Sequence, residues 1–361
     1  MIGLYSPDVP PAPGGVADHT LALARALERH GAPPVVLARR GDPAMFAPLT
    51  CISGLAPGDV ADAAREHDVA VVVIEYSPFL FARRGVSPAL VRGVRRMAAA
   101  GLRLAAFVHE PWVPFTRLPW LVTGVPQRLQ LRYLVRRCAH VYAAVPGFAE
   151  LIRRHARPGT PVAVAPVGAS IAPSTLSREE ARARLGLRED MVAIGVFSPG
   201  ASGFLHAWVT AAADRLAALE QVVWVRFGFG SERGLPLLPG VGTLSLGPGD
   251  AATIAQTMRA LDIAAAPFVD GLTLRRTSAM LALASGVATV SSTGPLFDPA
   301  AGALASCEPT AEAFAARLEG LARDPAERRL VADRTQHYEE VASINVLARR
   351  LIADLLPERR T

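Results

Sequence analysis

Asp270, Gly271, Leu272, Thr273, Leu274, Arg275 and Arg276 follow one another directly, after the apolar run Ile263–Pro267 and before the apolar stretch that begins at Ala279. A carboxylate in such a loop can hold hydroxyl groups. Two guanidinium forks beside the unbonded N–H groups of a helix start can hold an anion such as phosphate. Cations at a helix N-terminus oppose the helix dipole by up to ~1 kcal/mol, so an arginine pair there is most useful with an anion in front of it. The blander reading is that one arginine is solvated or pairs with a nearby carboxylate. The chain has no lysine, so all 38 of its Lys and Arg positions are arginine. That excludes a Walker P-loop, a Schiff-base lysine and pyridoxal phosphate chemistry. Biased codon usage in a GC-rich genome explains the absence more simply than selection for arginine, but either way phosphate must be held by Arg forks, backbone N–H groups and helix N-termini.

Other candidates lie where strands give way to loops. Pro10 to His19 contains Gly14 and Gly15 and leads into a helix; the glycines let backbone approach a ligand, and a helix start favours negative charge. The spacing is not the GxGxxG dinucleotide fingerprint, and a plain strand-to-helix turn explains the loop as well. Gly228-Phe229-Gly230 is a second weak glycine signal of the same kind. His109 closes an apolar strand, with Glu110 beside it. A lone histidine at a strand end is commonly structural, and Glu110 reads as a cleft carboxylate or, more plainly, as a solvated partner for an arginine. Cys51, Cys138 and Cys307 lie far apart, which argues against a disulfide framework or a structural zinc site.

These residues need elements to position them. At 361 residues, 51% hydrophobic and 19% charged, the chain fits two globular domains of middling size. Its longest apolar runs fall far short of the ~20 residues of a membrane span. With no basic, then apolar, N-terminal leader, the expected compartment is the cytoplasm. Short β-branched runs alternate with Ala/Leu/Arg-rich helical stretches, the pattern of parallel sheets with crossover helices. Strands are expected at 2–5, 34–38, 69–75, 102–109, 140–144 and 161–167, then at 191–197, 222–227, 262–267 and 288–292. Helices are expected between them, among them 16–30, 88–100, 125–137, 205–219, 250–260 and 276–285. Ser177 and Glu180 form a capping box that opens a helix after the segment 169–176, which reads as a linker. The expected domains are therefore 1–168 and 177–344, with a C-terminal helix at about 345–361 free to pack back on the first. Two doubly wound halves would face a central cleft lined by the carboxyl ends of their strands.

The order of these pieces resembles the GT-B glycosyltransferases, specifically the retaining family 4 group. The resemblance covers essentially the whole chain. It rests on the opening strand with Gly14-Gly15 and the helix ending at Glu28-Arg29-His30-Gly31, and on Glu75-Tyr76-Ser77-Pro78, His109-Glu110-Pro111-Trp112 and Val164-Ala165-Pro166-Val167-Gly168. Most clearly it rests on Leu261 to Gly271 running on through Ala279-Met280 to Ser285-Gly286-Val287. It implies a nucleotide-sugar donor bound by the C-terminal domain, an acceptor bound by the N-terminal one, and transfer without metal or other cofactor. It implies catalytic roles for His109 and Asp270, and donor contacts from Gly14, Gly15, Ser202, Thr273, Leu274, Arg275, Arg276 and Ser278. Acceptor contacts would come from Asp18, His19, Glu75 and Tyr76. In that family the leaving phosphate helps deprotonate the acceptor on the front face, so no protein nucleophile is needed.

The departures are specific. The family shows two glutamates with seven residues between them, and here Asp270 and Ser278 occupy those places. A hydroxyl offers the ribose an uncharged, weaker contact than a carboxylate. The family's phosphate-binding lysine is replaced near Ser202, in Ser198-Pro199-Gly200-Ala201-Ser202-Gly203. The expected function is sugar transfer to a glycan, lipid-linked or small-molecule acceptor. Its alternatives are a catalytically impaired partner or scaffold protein and a sugar-nucleotide epimerase of the same fold. The stretch 125–137, with Arg128, Arg132, Arg136 and Arg137 beside Leu129, Leu131 and Leu134, reads as an ordinary surface helix or as a contact with anionic lipid at the inner membrane face. The net charge of +6 comes without interleaved aromatics or a nucleic-acid motif, so no nucleic-acid partner is expected.

Overall fold

The computed structural model describes residues 1–12, 14–113, 118–231 and 242–356, with side chains described from 122 onward in the helix that begins at Leu118. The chain divides into two compact units, Met1–Ser170 together with the segment from Ile344, and Ile171–Ser343.

The first unit is built on strands β1 (Ile2–Asp8), β2 (Val35–Arg40), β3 (Cys51–Ile52), β4 (Val71–Tyr76), β5 (Arg103–Val108), β6 (His140–Ala143) and β7 (Val162–Val164). Helices α1 (Gly15–Arg29), α2 (Val60–Glu66), α3 (Pro78–Phe81), α4 (Pro88–Ala99), α5 (Leu118–Val135) and α6 (Pro146–Arg153) connect them. The sheet order is β3-β2-β1-β4-β5-β6-β7, and every pairing is parallel. Leu4 sits opposite Val36 on one side and Val73 on the other. β4 is buried along its whole length, as its unbroken Val/Ile run requires of a strand covered by helices on both faces.

The second unit has β8 (Val192–Phe197), β9 (Val222–Phe227), β10 (Gly242–Ser245), β11 (Ile263–Ala266), β12 (Ala288–Ser292) and β13 (Ser306–Glu308). Its helices are α7 (Arg178–Arg184), α8 (His206–Leu216), α9 (Ala251–Arg259), α10 (Thr277–Ala284), α11 (Pro299–Gly302), α12 (Ala311–Arg323), α13 (Pro325–Asp333) and α14 (Tyr338–Val341). The strands run parallel in the order β10-β9-β8-β11-β12-β13. The Ser177–Glu180 capping box is present, with both reciprocal bonds made. Asp250 and Thr310 cap α9 and α12 through their side chains.

The last helix, α15 (Ile344–Leu355), returns to the first unit. Leu347, Ala348, Leu351 and Leu355 join Leu23, Leu27, Val73 and Phe107 in one apolar core. Ile344, assigned from the sequence to the second domain, belongs to the first, because its backbone lies against Gly168: a Cβ on that glycine would stand 2.7 Å from the Ile344 nitrogen. The expected residues 357–361 of this helix lie outside the described ones. Two further differences have local causes. β3, β10 and β13 are two to four residues long, too short to show a pattern. α5 starts at Leu118, seven residues before the expected Val125, and carries Pro126 inside it. Gln127 and Gln130 hold that region, bonding the Arg84 and Gly85 carbonyls, the Val113 and Ser87 N–H groups and the Tyr76 hydroxyl.

Candidate active site

In an open parallel sheet, ligands bind outside the carboxyl ends of the strands where the strand order reverses. In the second unit that point lies between β8 and β11. The loops leaving these two strands are bonded to each other: Val269 N–H donates to the Gly203 carbonyl at 2.8 Å, and Leu205 N–H to that of Pro267 at 3.0 Å. A Cβ on Gly203, which has φ +77°, would lie 2.9 Å from Val269 Cγ1 and 3.3 Å from both Asp270 Oδ1 and Arg276 Nη2. A larger residue would push the two loops apart.

Asp270 is the hub. Its Oδ2 accepts from Arg275 Nη2 at 2.5 Å and its Oδ1 from Arg276 Nη2 at 2.6 Å. Arg276 also donates to the Ser202 carbonyl at 2.9 Å, and its guanidinium lies 4.4 Å from the centre of the Phe268 ring. Burial pushes the Asp270 carboxyl upward, but Arg276 and Arg275 together hold it below the usual carboxylate range, so it stays ionised. The trio carries one net positive charge immediately before α10, whose N-cap is Arg276. The carboxylate expected for sugar hydroxyls is thus already engaged by the arginines expected for phosphate. Thr273 and Leu274, expected to contact a donor, are buried at 0% and 4% exposure, so their side chains shape the loop from beneath rather than face a ligand. Ser278 is half-buried in the first turn of α10, and Ser202 is exposed.

The sequence undervalued the loop after β9. Gly230 has φ +81°, and a Cβ there would stand 2.4 Å from the Gly200 Cα, so the loops after β8 and β9 touch backbone to backbone. Ser198, a non-glycine residue at φ +50°, bends the same loop, the kind of strained conformation that concentrates at ligand sites. Two glycines just past a carboxyl edge were the available signal. Phe268, the platform under Arg276, looked like an ordinary strand-end apolar residue and offered none.

In the first unit the order reverses between β1 and β4. Gly14 and Gly15 open α1, are exposed, and have nothing within 4 Å of where a Cβ would stand. Asp18 is exposed in the first turn. Behind them lies a buried group the sequence had scattered over three segments. His109 Nε2 lies 2.6 Å from Glu75 Oε2, and His19 Nε2 lies 3.8 Å from the same oxygen. His19 Nδ1 is 3.1 Å from the Val167 carbonyl, which only accepts, so that nitrogen carries the proton and Nε2 presents its lone pair. Burial, ahead of a smaller opposing pull from His19, pushes Glu75 up to about 7. Burial likewise drives His19 down to about 4, against Glu75.

His19, Glu75 and Tyr76 were expected to touch an acceptor, and all three are fully buried. The Tyr76 ring stacks on Phe81 and its hydroxyl accepts from Gln130. They can act only through His109, which keeps 8% exposure, or by shaping the floor of a site. Glu110 is exposed and receives the Ser77 hydroxyl at 3.5 Å. Donor atoms of His19, Glu75 and His109 all lie within 4.8 Å of one another, a set that could hold a metal ion. The short His109–Glu75 contact has the length of a charge-assisted hydrogen bond, so a proton already bridges those two groups, while Glu75 Oε1 and His19 Nε2 stay buried without a hydrogen-bond partner. A cavity of about 500 Å³ opens at the same carboxyl edge, lined in part by Asp8, Arg39, Arg40, Phe79 and Arg83. Arg40 grips Asp8 through two bonds of 2.9 and 3.1 Å, so three guanidinium groups face one carboxylate.

No protein-family model matches the chain, and no curated protein matches it in sequence. Solved structures do match over the full length. Sucrose-phosphate synthase from Thermosynechococcus elongatus aligns at TM-score 0.66 and 16% identity, covering 98% of both chains. HepE of Anabaena, in complex with UDP and glucose, aligns at 0.66 and 17%, covering 99% of both. WaaG, a glycosyltransferase involved in lipopolysaccharide biosynthesis, aligns at 0.66 and 12%, covering 99% of this chain and all of that one. With two parallel, doubly wound Rossmann-like units in chain order, this protein has the GT-B fold of those glycosyltransferases.

Proposed function

We propose that the chain is a glycosyltransferase of the retaining, family 4-like kind, moving a sugar from a nucleotide-sugar donor held by the second unit to an acceptor held by the first. The observation that carries this reading is the Asp270–Arg275–Arg276 trio at the β8/β11 switch point, net positive and next to the start of α10. There the arginines take the diphosphate, while Ser202 and Ser278 supply neutral hydrogen bonds to the nucleotide. Asp270 orients the arginines and offers its remaining acceptor capacity to sugar hydroxyls. Within the first unit, the exposed helix start at Gly14 and Gly15 is suited to phosphate oxygens, and His109, backed by Glu75 and His19, to a sugar hydroxyl. The leaving diphosphate takes the acceptor proton, so no protein nucleophile and no metal enters the reaction.

The cavity around Arg39, Arg40, Arg83 and Phe79 suits an acceptor with an anionic group and an apolar part, such as a lipid-linked one. Exposed Val122, Val125 and Leu129 form one stripe of α5, with Arg128 and Arg132 beside them, which fits a peripheral contact with anionic lipid. Leu131 and Leu134 of the same helix are buried. Among the described residues no helix is long and apolar enough to cross a membrane.

A calorimetric screen against UDP-, GDP- and ADP-sugars tests the central claim. One donor should bind in the micromolar range with chelator present, and anomeric NMR of the product should show retention. Absence of binding by every nucleotide sugar and nucleoside diphosphate would refute it. The engagement of both Asp270 oxygens by the arginines favours one other reading, a binding protein that has lost transfer. It predicts donor binding with neither transfer nor hydrolysis.

A further inference from the structure

The second unit carries another cationic pocket, at the opposite end of its sheet. All six strands are parallel, so β11 and β12 begin at the edge away from Asp270. A cavity of about 240 Å³ opens there, and among its lining residues are Arg178, Arg259, Arg328, Arg329, Asp262 and Ser285. Four guanidinium groups therefore face one carboxylate.

That carboxylate is already committed. Asp262 is bonded by Arg178, by Arg182 Nη1 at 2.9 Å and by the Ala193 N–H at 2.8 Å, with Arg328 Nε 3.7 Å away. Arg182 belongs to the framework, since it also ties down the carbonyls of Ala260, Arg188 and Met191. Asp324, a second acid acting on Arg328, is spent capping α13 through the N–H groups of Ala326 and Glu327. Burial foremost, with Arg178 and Arg182 beyond it, holds the Arg328 guanidinium below its ordinary pKa, although Asp262 and Asp324 pull the other way. A second observation is independent of charge. Ser285 lines this cavity at 5% exposure, and its Oγ has no hydrogen-bond partner. A buried hydroxyl left unbonded is uncommon, because losing water without gaining a partner is costly.

We propose that this edge of the second unit is a binding site for a phosphoryl anion, distinct from the donor site at the carboxyl edge. Arg329 supplies a whole fork, Arg259 and Arg328 the guanidinium nitrogens not already donating to the Leu176, Ser285 and Leu321 carbonyls, Arg178 the side not bonded to Asp262, and Ser285 Oγ a neutral donor. The volume, below the usual range for a whole cofactor, suits one phosphoryl group with a small organic remainder. Such a site makes the unit responsive to a phosphorylated metabolite or to a phospholipid headgroup, whether or not it also holds a sugar nucleotide.

The test is titration of the whole protein with inorganic phosphate at constant ionic strength, chloride balancing the salt, read by calorimetry and thermal shift. Binding should be saturable, and Arg329→Gln and Ser285→Ala should each weaken it about tenfold or more. Ser285→Ala removes no existing side-chain hydrogen bond, so folding is preserved if the arginine variant proves unstable. Arg276→Ala, at the other edge, should leave a phosphate signal of undiminished affinity, which separates this site from the donor site. Glycerol 3-phosphate displacing inorganic phosphate marks a soluble ligand. Capture by phosphatidic acid vesicles, lost in Arg329→Gln, marks a headgroup. No saturable response to phosphate, or one unchanged in both variants, would overturn the proposal.

Discussion

Arg276 bonds the Asp270 carboxylate and the Ser202 carbonyl and lies over Phe268, so one side chain ties together the two loops of the β8/β11 switch point. Arg276→Ala should weaken binding of the donor's nucleoside diphosphate about tenfold or more, the scale of a hydrogen bond to a charged group. Calorimetry on the variant, with circular dichroism to confirm folding, reads this; an unchanged Kd would remove Arg276 from the site. Glu75 and His19 permit a second test, because their shifts oppose each other. Glu75, raised to about 7, contributes stability at low pH that is lost as pH climbs from the ordinary glutamate range through 7. His19, lowered to about 4, contributes stability at high pH that is lost as pH falls from the ordinary histidine range through 4. Between about pH 4.5 and 6.5 the two slopes largely cancel, at up to ~1.4 kcal/mol per pH unit each. In Glu75→Gln only the His19 slope survives, so stability from urea melts should rise with pH across that window, more steeply than in the wild type. Parallel pH profiles for the two proteins would show that these groups are not coupled to folding as the burial implies.

At the level of elements, the second unit's site is three loops held at contact distance. Gly200 and Gly230 make this close packing, and Gly230 also needs a left-handed backbone that alanine disfavours by ~1–2 kcal/mol. Gly230→Ala adds a Cβ 2.4 Å from the Gly200 Cα, so either loop must move. We expect a loss of about 2–4 kcal/mol in the second unit's stability together with weaker nucleotide binding. Thermal melts with and without UDP test both. A variant as stable and as tight as the parent would mean that the loop after β9 has no part in shaping the site.

On the scale of the molecule, the first unit is not contiguous in sequence. Leu351 is fully buried among residues of the first unit, on a helix more than three hundred residues from the strands that open the sheet it covers. Tyr142 donates to Asp354, and Arg103 reaches the carbonyls of Asp354 and Leu355, tying the same helix to β5 and β6. Leu351→Ala should cost about 2–4 kcal/mol, as for other buried leucines. The cost should fall on the first unit, leaving the second unit's transition in place. Urea denaturation followed by hydrogen exchange assigns the loss to a unit. An equal loss in both would show that they unfold together.

The apolar runs and the helical stretches between them were enough to indicate two doubly wound parallel units, because a strand buried on both faces must be continuously apolar and each crossover needs a helix. The Asp270 to Arg276 loop, the Ser177–Glu180 capping box and the glycines opening α1 were also legible, since their chemistry lies within a few residues of chain. What the sequence by itself could not determine was which charges meet. The sequence offered Arg275 and Arg276 either a phosphate or a nearby carboxylate as partner; both bond Asp270, in a loop against which Gly203 packs, and the phosphate reading rests with the binding test. His19, Glu75 and His109 come from three segments and become one buried group only when β4 and β5 pair and α1 lies across them. The arginine pocket around Ser285 likewise gathers side chains from α7, α9 and α13 at the start of β11 and β12. Periodicity is a local property that burial imposes on each segment, whereas these meetings depend on strand order and register, which only the folded chain brings about.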